Sequence, residues 1–542
     1  MKKYTDEEKR LLTPYFSNLD KKVFVLKNLP QVVCGTLFSR YSRSSKPLRR
    51  LLLEDFMSKK EFEFDKIVGK KNNIEDEIIA VKKAEEFYNR VLIDYGDDSV
   101  AELGGAHVGI EKVSNIAAKI LEDSRIGLSP LEKSTRYIYF EKKIDGEYQY
   151  YKEPKIMKSE FADEYIDTCN SLFETYAELI PQMKEWIIEK FPQTDDISER
   201  AYKSTIKAKT CDVLRGFLPA ATQTNLGLYG NGRAFEYLMQ KMHSTQLQEL
   251  HDIANEMHEE LSKVIPSFVK RATPKNELGK GNIDFFTKRN KAIEEMASEL
   301  FKEQKGETGE LVELTEYDTE AENKVIAGLL YPFTELSEKQ LKKRIKTMTD
   351  KEKTEVLDRT LGQRKNRRHK AGRGFENTYY KFDIRGNYGI YRDLQRHRML
   401  TQERQKMTTF LGYDLPKEIT LAGFETQFKE QMQKADKIFR KIHKKMPTEA
   451  QYIVPFAYRI RWYNYMNLRE VYHLTELRST QFGHVDYRKV AQQMYLKVKE
   501  VHPRLMKYAE VDMKEYDLER LEMEKGIDKK IKAIEKKYSD KN

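Results

Sequence analysis

Cysteine is scarce in this chain: Cys34, Cys169 and Cys211 are the only three in 542 residues, and their spacing pairs none of them. That argues against a disulfide scaffold and against a thiolate metal site, and no metal is expected. Glycine and proline are also few, 26 and 15, while tyrosine and phenylalanine number 32 and 26, which describes a folded, helix-rich chain and not a low-complexity one. No stretch approaches eighteen consecutive apolar residues, and the charged start, Met1 to Phe16, lacks the apolar core of a signal peptide. The expectation is a soluble, cytoplasmic protein with no membrane partner. What the chain has in excess is positive charge, +11 at pH 7, which favours anionic ligands without choosing between nucleotides and nucleic acid. Its length suggests two to four domains.

The densest cationic feature is Arg392-Asp393-Leu394-Gln395-Arg396-His397-Arg398, which follows an apolar, helix-like segment. Neighbouring helical side chains point about 100° apart, so Arg396, His397 and Arg398 fan out and suit a polyanion with several faces. Guanidinium forks pair well with phosphate and with planar carbonyl oxygens. The plainer reading is a solvated basic helix end.

Earlier in the chain, Val23 to Leu53 is apolar and contains Phe38-Ser39-Arg40-Tyr41-Ser42-Arg43-Ser44, either a phosphate-binding segment or a polar turn between two helices. Ile78 to Leu92 has the spacing of a surface helix. Between Asp97 and Phe140, Val108 to Leu121 looks packed, and Ser129-Pro130-Leu131-Glu132 has the form of a capping box. The β-branched and aromatic run Tyr137 to Phe140 instead predicts a strand, on which Ser134 and Arg136 would share one face as a phosphate clamp.

The chain repeats itself. Arg215-Gly216-Phe217-Leu218-Pro219 is followed, twelve residues after its proline, by Asn231-Gly232-Arg233; likewise Pro455 is followed by Asn467-Leu468-Arg469. Val100 to Glu102 precedes Asp123-Ser124-Arg125 much as Phe375-Glu376 precedes Arg396-His397-Arg398. The fold class expected is α+β, two tandem homologous modules each built of a β-sheet packed with long helices. Residues 1–272 would form the first module, 273–309 a charged linker containing Gly279, Gly281 and Gly306, 310–510 the second module, and 511–542 a charged amphipathic C-terminal helix for packing or dimer contacts.

On these residues both halves resemble the flavin-dependent thymidylate synthases, whose signature is R-H-R-x-x-S-x-N-E-x-S-x-R followed downstream by A-R-x-x-L-P, N-x-R and L-R. The resemblance covers about Val23 to Arg271 and Val312 to Leu505, and each copy has lost part of the pattern. The first keeps Ser129, Glu132, Ser134, Arg136 and Arg215, but has Asp123-Ser124-Arg125 for R-H-R, Leu131 for the asparagine and Met242 for the L-R arginine. The second keeps Arg396-His397-Arg398 and Arg478, but has Thr401 to Thr408 in place of the serine-rich portion and Gln451 in place of the arginine before Leu-Pro. Asp393 stands where a glutamine commonly reads the nucleotide. Sites in this family are assembled between subunits of a tetramer, so complementary losses imply one composite site and a homodimer whose four modules imitate that tetramer.

The resemblance implies an FAD-dependent enzyme that methylates dUMP to dTMP with methylenetetrahydrofolate and NADPH as co-substrates. The implied dUMP-binding residues are Glu132, Ser134, Thr135, Arg136, Arg215, Asp393, Gln395 and Arg396. Arg478 is the implied catalytic residue, a fixed cation at the uracil carbonyl edge worth about 3 kcal/mol to the transition state. Arg396, His397, Arg398 and Glu376 would hold FAD with Asn231 and Arg233 or with Asn467 and Arg469. The competing class is a catalytically degenerate nucleotide- or RNA-binding protein relying on Arg364-Lys365-Asn366-Arg367-Arg368-His369-Lys370, although such a run is usually a solvated loop, and nucleic acid is not the expected partner.

Overall fold

The computed structural model describes residues 4–42, 44–58, 64, 97–304 and 306–539. Two separate small sheets, each accompanied by helices, make the chain α+β. The predicted helix Ile78 to Leu92 lies outside the described residues. Phe38 to Tyr41 form the last turn of helix Gln31–Tyr41, with Ser42 its C-cap, so the turn reading of Phe38 to Ser44 fails over its first half. Among the described residues no helix is long and apolar enough to cross a membrane.

The chain divides into two compact units. The first consists of Met1–Val113, Ile120–Glu132 and Thr224–Gln304. Its sheet comprises β1 (Gly105–Ser114), β2 (Leu128–Glu132) and β3 (Gln223–Asn231) in the order β1-β3-β2. β3 buries Thr224, Leu226, Leu228 and Gly230 and turns the intervening residues outward, the period-two alternation of a half-covered strand. Asn231 then caps the helix Gly232–His243, its Oδ1 accepting from the Ala234 amide at 2.9 Å. The segment between the repeats contains a 24-residue helix, Glu277–Leu300, which Asn276 starts by accepting from the Leu278 and Gly279 amides. Gly279 and Ile283 are its buried residues, so the glycine serves close packing there.

The second unit consists of Ser114–Lys119, Lys133–Gln223 and Lys305–Asn542. It contains the second sheet, β4 (Val312–Tyr317), β5 (Tyr380–Asn387), β6 (Thr401–Arg404) and β7 (Arg459–Met466), ordered β4-β5-β7-β6 with Ile384 opposite Trp462. Compactness and sequence repeat therefore cut the chain differently, because Lys133–Gln223 of the first copy packs with the second. Helices Ala162–Lys190 and Glu425–His443, one from each copy, lie against each other, and Lys441 pairs with Glu164 at 2.6 Å. The two proline segments bond reciprocally around a Pro219/Pro455 bridge: the Ala220 amide donates to the Val454 carbonyl, the Phe456 amide to Leu218, both at 2.9 Å. A C-terminal helix spans Leu521–Ser539, with 511–520 not helical, and is tied to helix Glu199–Leu214 by Glu524 on Arg200 at 2.9 Å.

One local expectation is corrected. Tyr137 to Phe140 form no strand; the strand comes earlier, at Leu128–Glu132, and Thr135 to Tyr137 are a turn. The Ser134 hydroxyl accepts from the Arg136 amide at 3.2 Å, a serine turn that outcompetes a ladder bond and swings Arg136 inward. Ser134 and Arg136 consequently do not share the face of an extended strand.

Candidate functional site

Within the second unit, helix ends bring the predicted cations together. Helix Glu199–Leu214 starts at the Ser198 cap and stops before Pro219, leaving Asp212 in its last turn and Arg215 at its C-cap. Helix Tyr388–Leu394 starts at Asn387, whose Oδ1 accepts from the Ile390 amide at 3.0 Å, and delivers Asp393 and the Gln395 to Arg398 segment. Helix Leu468–Arg478 starts at the Asn467 cap and ends on Arg478. Cations at helix C-termini complement the peptide dipoles there.

Arg136 makes a bidentate pair with Asp212, Nε to Oδ1 at 2.8 Å and Nη2 to Oδ2 at 2.7 Å, the side chains 8 % and 9 % exposed. Its Nη1 donates to the Tyr487 hydroxyl at 3.1 Å. Arg136 and Arg478 each lie 5.6 Å from the Tyr487 ring centroid, so this tyrosine carries cations from both copies on one ring. Arg215 is buried, and its Nη1 donates to Asp393 at 3.0 Å. Its Nη2 is buried with no acceptor among the described residues. Gly389 makes room for this guanidinium, since a Cβ there would stand 3.1 Å from Nη2.

The titration states follow from these contacts. Burial works against the Asp393 charge, but Arg215, Arg136 and Arg478 together outweigh it and hold the carboxyl well below its usual range. Burial likewise opposes charge on Asp212 and is outweighed by Arg136, His484 and Arg215, so its carboxyl is also lowered. His397 is buried; burial, reinforced by Arg478, drives it well below an ordinary histidine and keeps it neutral. Its Nε2 accepts from Arg478 Nε at 2.9 Å, which fixes the proton on Nδ1, facing Glu470 Oε1 at 2.7 Å. Burial raises Glu470 to about 7, against the pull of His473, Lys370, Arg478 and Arg469. His397, Glu470 and His473 bring ligand-type atoms together, with the nitrogens of His397 engaged by Arg478 and Glu470.

The remaining predicted residues are placed as follows. The Thr135 hydroxyl accepts from Arg392 Nη1 at 3.0 Å, and Gln395 Nε2 donates to the Lys119 carbonyl at 2.6 Å. Arg396 is exposed and Arg398 half-buried. Asn467 caps its helix through Oδ1, which accepts from the Glu470 amide at 2.9 Å, and Arg469 pairs with Glu376. The first copy repeats this arrangement inside the first unit, with Asn231 as a cap and Arg233 paired with Glu102 at 2.8 Å. Glu132, at the end of β2, also belongs to that unit. Gln451, where the second copy has lost its arginine, is buried and bonded to the Met407 amide and the Thr448 carbonyl, both at 3.0 Å. Arg364, which opens the basic run, is locked onto Glu476 at 2.8 Å and the Tyr508 carbonyl at 2.6 Å. Asp212, Tyr487 and Glu470 were not foreseen. Asp212 had a signal, since it lies three residues before Arg215 on a helix; Tyr487, 351 residues from Arg136, had none.

Paired copies of one α+β module, with arginines from both converging on shared acidic and aromatic partners, define a duplicated protein. A sequence profile of the thymidylate synthase complementing protein family matches residues 55–267 and 311–504, and the chain belongs to that family. It is similar to a UPF0159 protein of Chlamydia muridarum, 42 % identical over 522 residues that cover 96 % of this chain and 98 % of that one. A UPF0159 protein of Thermoplasma acidophilum is 37 % identical over 92 % of this chain and 99 % of its own. A flavin-dependent thymidylate synthase of Sulfurisphaera tokodaii is 30 % identical over 172 residues, 30 % of this chain and 64 % of that protein. The fold is accordingly thymidylate-synthase-like, with flavin use a property of named relatives.

Proposed function

We propose that the protein is an FAD-dependent enzyme of the thymidylate synthase type, methylating a uridine nucleotide, dUMP in the simplest case, with methylenetetrahydrofolate and NADPH at one composite site per chain. The observation that carries this reading is the meeting, inside one compact unit, of Arg136 and Arg215 from the first copy with Asp393, His397 and Arg478 from the second. Arg136 and Arg215, with Ser134, hold the phosphate. Arg478, positioned by neutral His397, presents a fixed positive charge to the uracil carbonyl edge as negative charge develops there.

The donor set suits FAD. Arg396 and Arg398 offer guanidinium forks for its phosphates, with Arg469, Glu376 and Asn467 from the same unit, and FAD when bound supplies the hydride. His397 contributes its ring face, since both nitrogens are engaged. Asn231 and Arg233, which belong to the first unit, form the second candidate pair. No enzymic nucleophile is needed, and burial pushes the Cys34 thiol up to about 11, away from reactivity. In solution the protein is a homodimer located in the cytoplasm.

The test is spectroscopic. Purified protein should carry a flavin spectrum that bleaches under NADPH and recovers when dUMP and methylenetetrahydrofolate are added. A colourless protein that cannot be reconstituted with FAD sinks this reading in favour of a nucleotide-binding module.

A further inference from the structure

Glu470 is a buried acid that neither phosphate nor flavin calls for. It stands in the first turn of helix Leu468–Arg478, after the Asn467 cap, and Arg478 closes the same helix. Eight residues at about 1.5 Å each set the two backbones about 12 Å apart along the axis. Helical side chains tilt toward the N-terminus, so Arg478 reaches back toward Glu470. His397, from the segment after helix Tyr388–Leu394, fills the gap: its Nδ1 lies 2.7 Å from Glu470 Oε1, and its Nε2 accepts from Arg478 Nε at 2.9 Å. Both residues are buried, His397 7 % and Glu470 6 % exposed, so water is a poor substitute for either contact.

Arginine has donors only, so Nε2 must present its lone pair and the single imidazole proton belongs on Nδ1. A buried Nδ1–H needs an acceptor, and Glu470 Oε1 supplies it. With the proton on Nε2 instead, two N–H groups would oppose each other and Arg478 would leave its present line. The other charged or titratable groups that face Glu470 are His473, Lys370, Arg478 and Arg469. Lysine and arginine cannot accept from Nδ1–H, and His473 Nδ1 already lies 3.1 Å from Lys370 Nζ.

We propose that Glu470 is a positioning residue for the methyl transfer: by accepting from Nδ1–H it fixes the His397 tautomer, and through His397 it holds Arg478 where its charge meets the uracil carbonyl edge. The proposal rests on the thymidylate-synthase reading of this site. Burial raises Glu470 to about 7, so its ionised form lowers the stability of the fold, which suits an acid kept for the site and not for packing.

The tautomer is read by nitrogen NMR of histidine-labelled full-length protein with FAD in excess, the His397→Gln variant locating the His397 signals. At pH 8, above the Glu470 value of about 7, wild type should carry the proton on Nδ1. Glu470→Leu should move it to Nε2 or divide it between the nitrogens. Arg478→Ala should leave it on Nδ1, because Glu470 holds it there. In turnover assays saturated with FAD, Glu470→Leu should lose at least about tenfold in kcat with KM for dUMP nearly unchanged. Glu470→Gln, whose amide oxygen can still accept, should recover most of that loss, and Glu470→Leu should add little to the loss in Arg478→Ala. A role confined to packing or to the helix dipole would change stability and leave tautomer and kcat intact. A wild-type proton on Nε2, or a Glu470→Leu variant that keeps either the Nδ1 proton or its kcat, overturns the proposal, as does a loss traced to missing flavin. Should Glu470→Leu not fold, Arg478→Ala decides: migration of the proton there shows that Arg478, and not Glu470, sets the tautomer. Absence of turnover in wild type overturns the thymidylate-synthase reading and the catalytic half of the proposal, while the NMR result still decides whether Glu470 holds His397.

Discussion

Replacing Arg136 with methionine preserves most of the side-chain volume and removes the charge and both bonds to Asp212, whose carboxylate is then left in a site only 9 % exposed. Breaking a buried pair from one side costs about 3–5 kcal/mol, because the surviving charge keeps its desolvation penalty. Asp212 retains Arg215 and His484 as neighbours, so the low end, about 3 kcal/mol, is expected at neutral pH. The sign with pH is fixed. In wild type the Asp212 carboxyl lies below its unfolded value, so its contribution is present above about pH 4 and is lost as pH falls through the folded value. Without Arg136, burial raises that carboxyl, and protonation relieves the penalty, so the gap between variant and wild type should narrow toward pH 4. Both tryptophans, Trp186 and Trp462, belong to the second unit, and urea titration followed by their fluorescence therefore reports that unit alone. The double variant Arg136→Met/Asp212→Leu should regain most of the loss. A cost under about 1 kcal/mol at pH 7.5, or no recovery in the double variant, would refute the argument.

Arg398→Ala and His397→Ala should lower bound flavin, measured by absorbance per protein after gel filtration, with circular dichroism unchanged; full occupancy in both would count against their assignment. Arg136→Ala and Arg478→Ala should act non-additively on dUMP turnover, the second removal costing far less than the first, because both act at one site; simple addition of their losses would place them in separate sites. Calorimetry should give about one nucleotide per chain, and Gln451→Ala should leave dUMP affinity unaltered while costing about 1 kcal/mol of stability through its lost bonds to Met407 and Thr448. Two nucleotides per chain would contradict the composite site. Glu470 has a folded pKa raised to about 7, so it stabilises the fold below its unfolded value and loses that contribution as pH rises through 7. Glu470→Gln should therefore compare more favourably with wild type at pH 8.5 than at pH 5.5 in thermal melts, and a difference of the opposite sign would show that Glu470 ionises freely.

Several of these residues are legible in the sequence because motif chemistry is local. Arg396 to Arg398 sit after an apolar helix, and the two Asn-x-Arg segments recur at matching distances from Pro219 and Pro455, since an N-cap and an arginine two residues on are fixed by short-range geometry. The partners of those residues were not legible. Asp393 stands out in the sequence only as a replacement for glutamine, and only the fold reveals that Asp212 and Asp393 each sit on a predicted phosphate arginine. The Tyr137 to Phe140 strand failed for a related reason: intrinsic β-preference was outweighed by the Ser134 turn and by the inward pull of Asp212 on Arg136. Nor could sequence show that Lys133–Gln223 packs with the second repeat, because that grouping depends on bonds such as Ala220 to Val454 across more than two hundred residues.

The reciprocal bonding at Pro219 and Pro455 also bears on inheritance. In an assembly of identical subunits a codon change alters every copy of a surface at once, so a substitution useful on one side of a two-fold contact is forced on the other. Here the two sides are encoded separately, and Arg215 on one can persist while Gln451 on the other seals its surroundings with backbone bonds. Covalent linkage also makes the contact unimolecular, so dilution cannot separate the halves that build the arginine cluster. A protein at nanomolar concentration should retain this contact whether or not two chains associate.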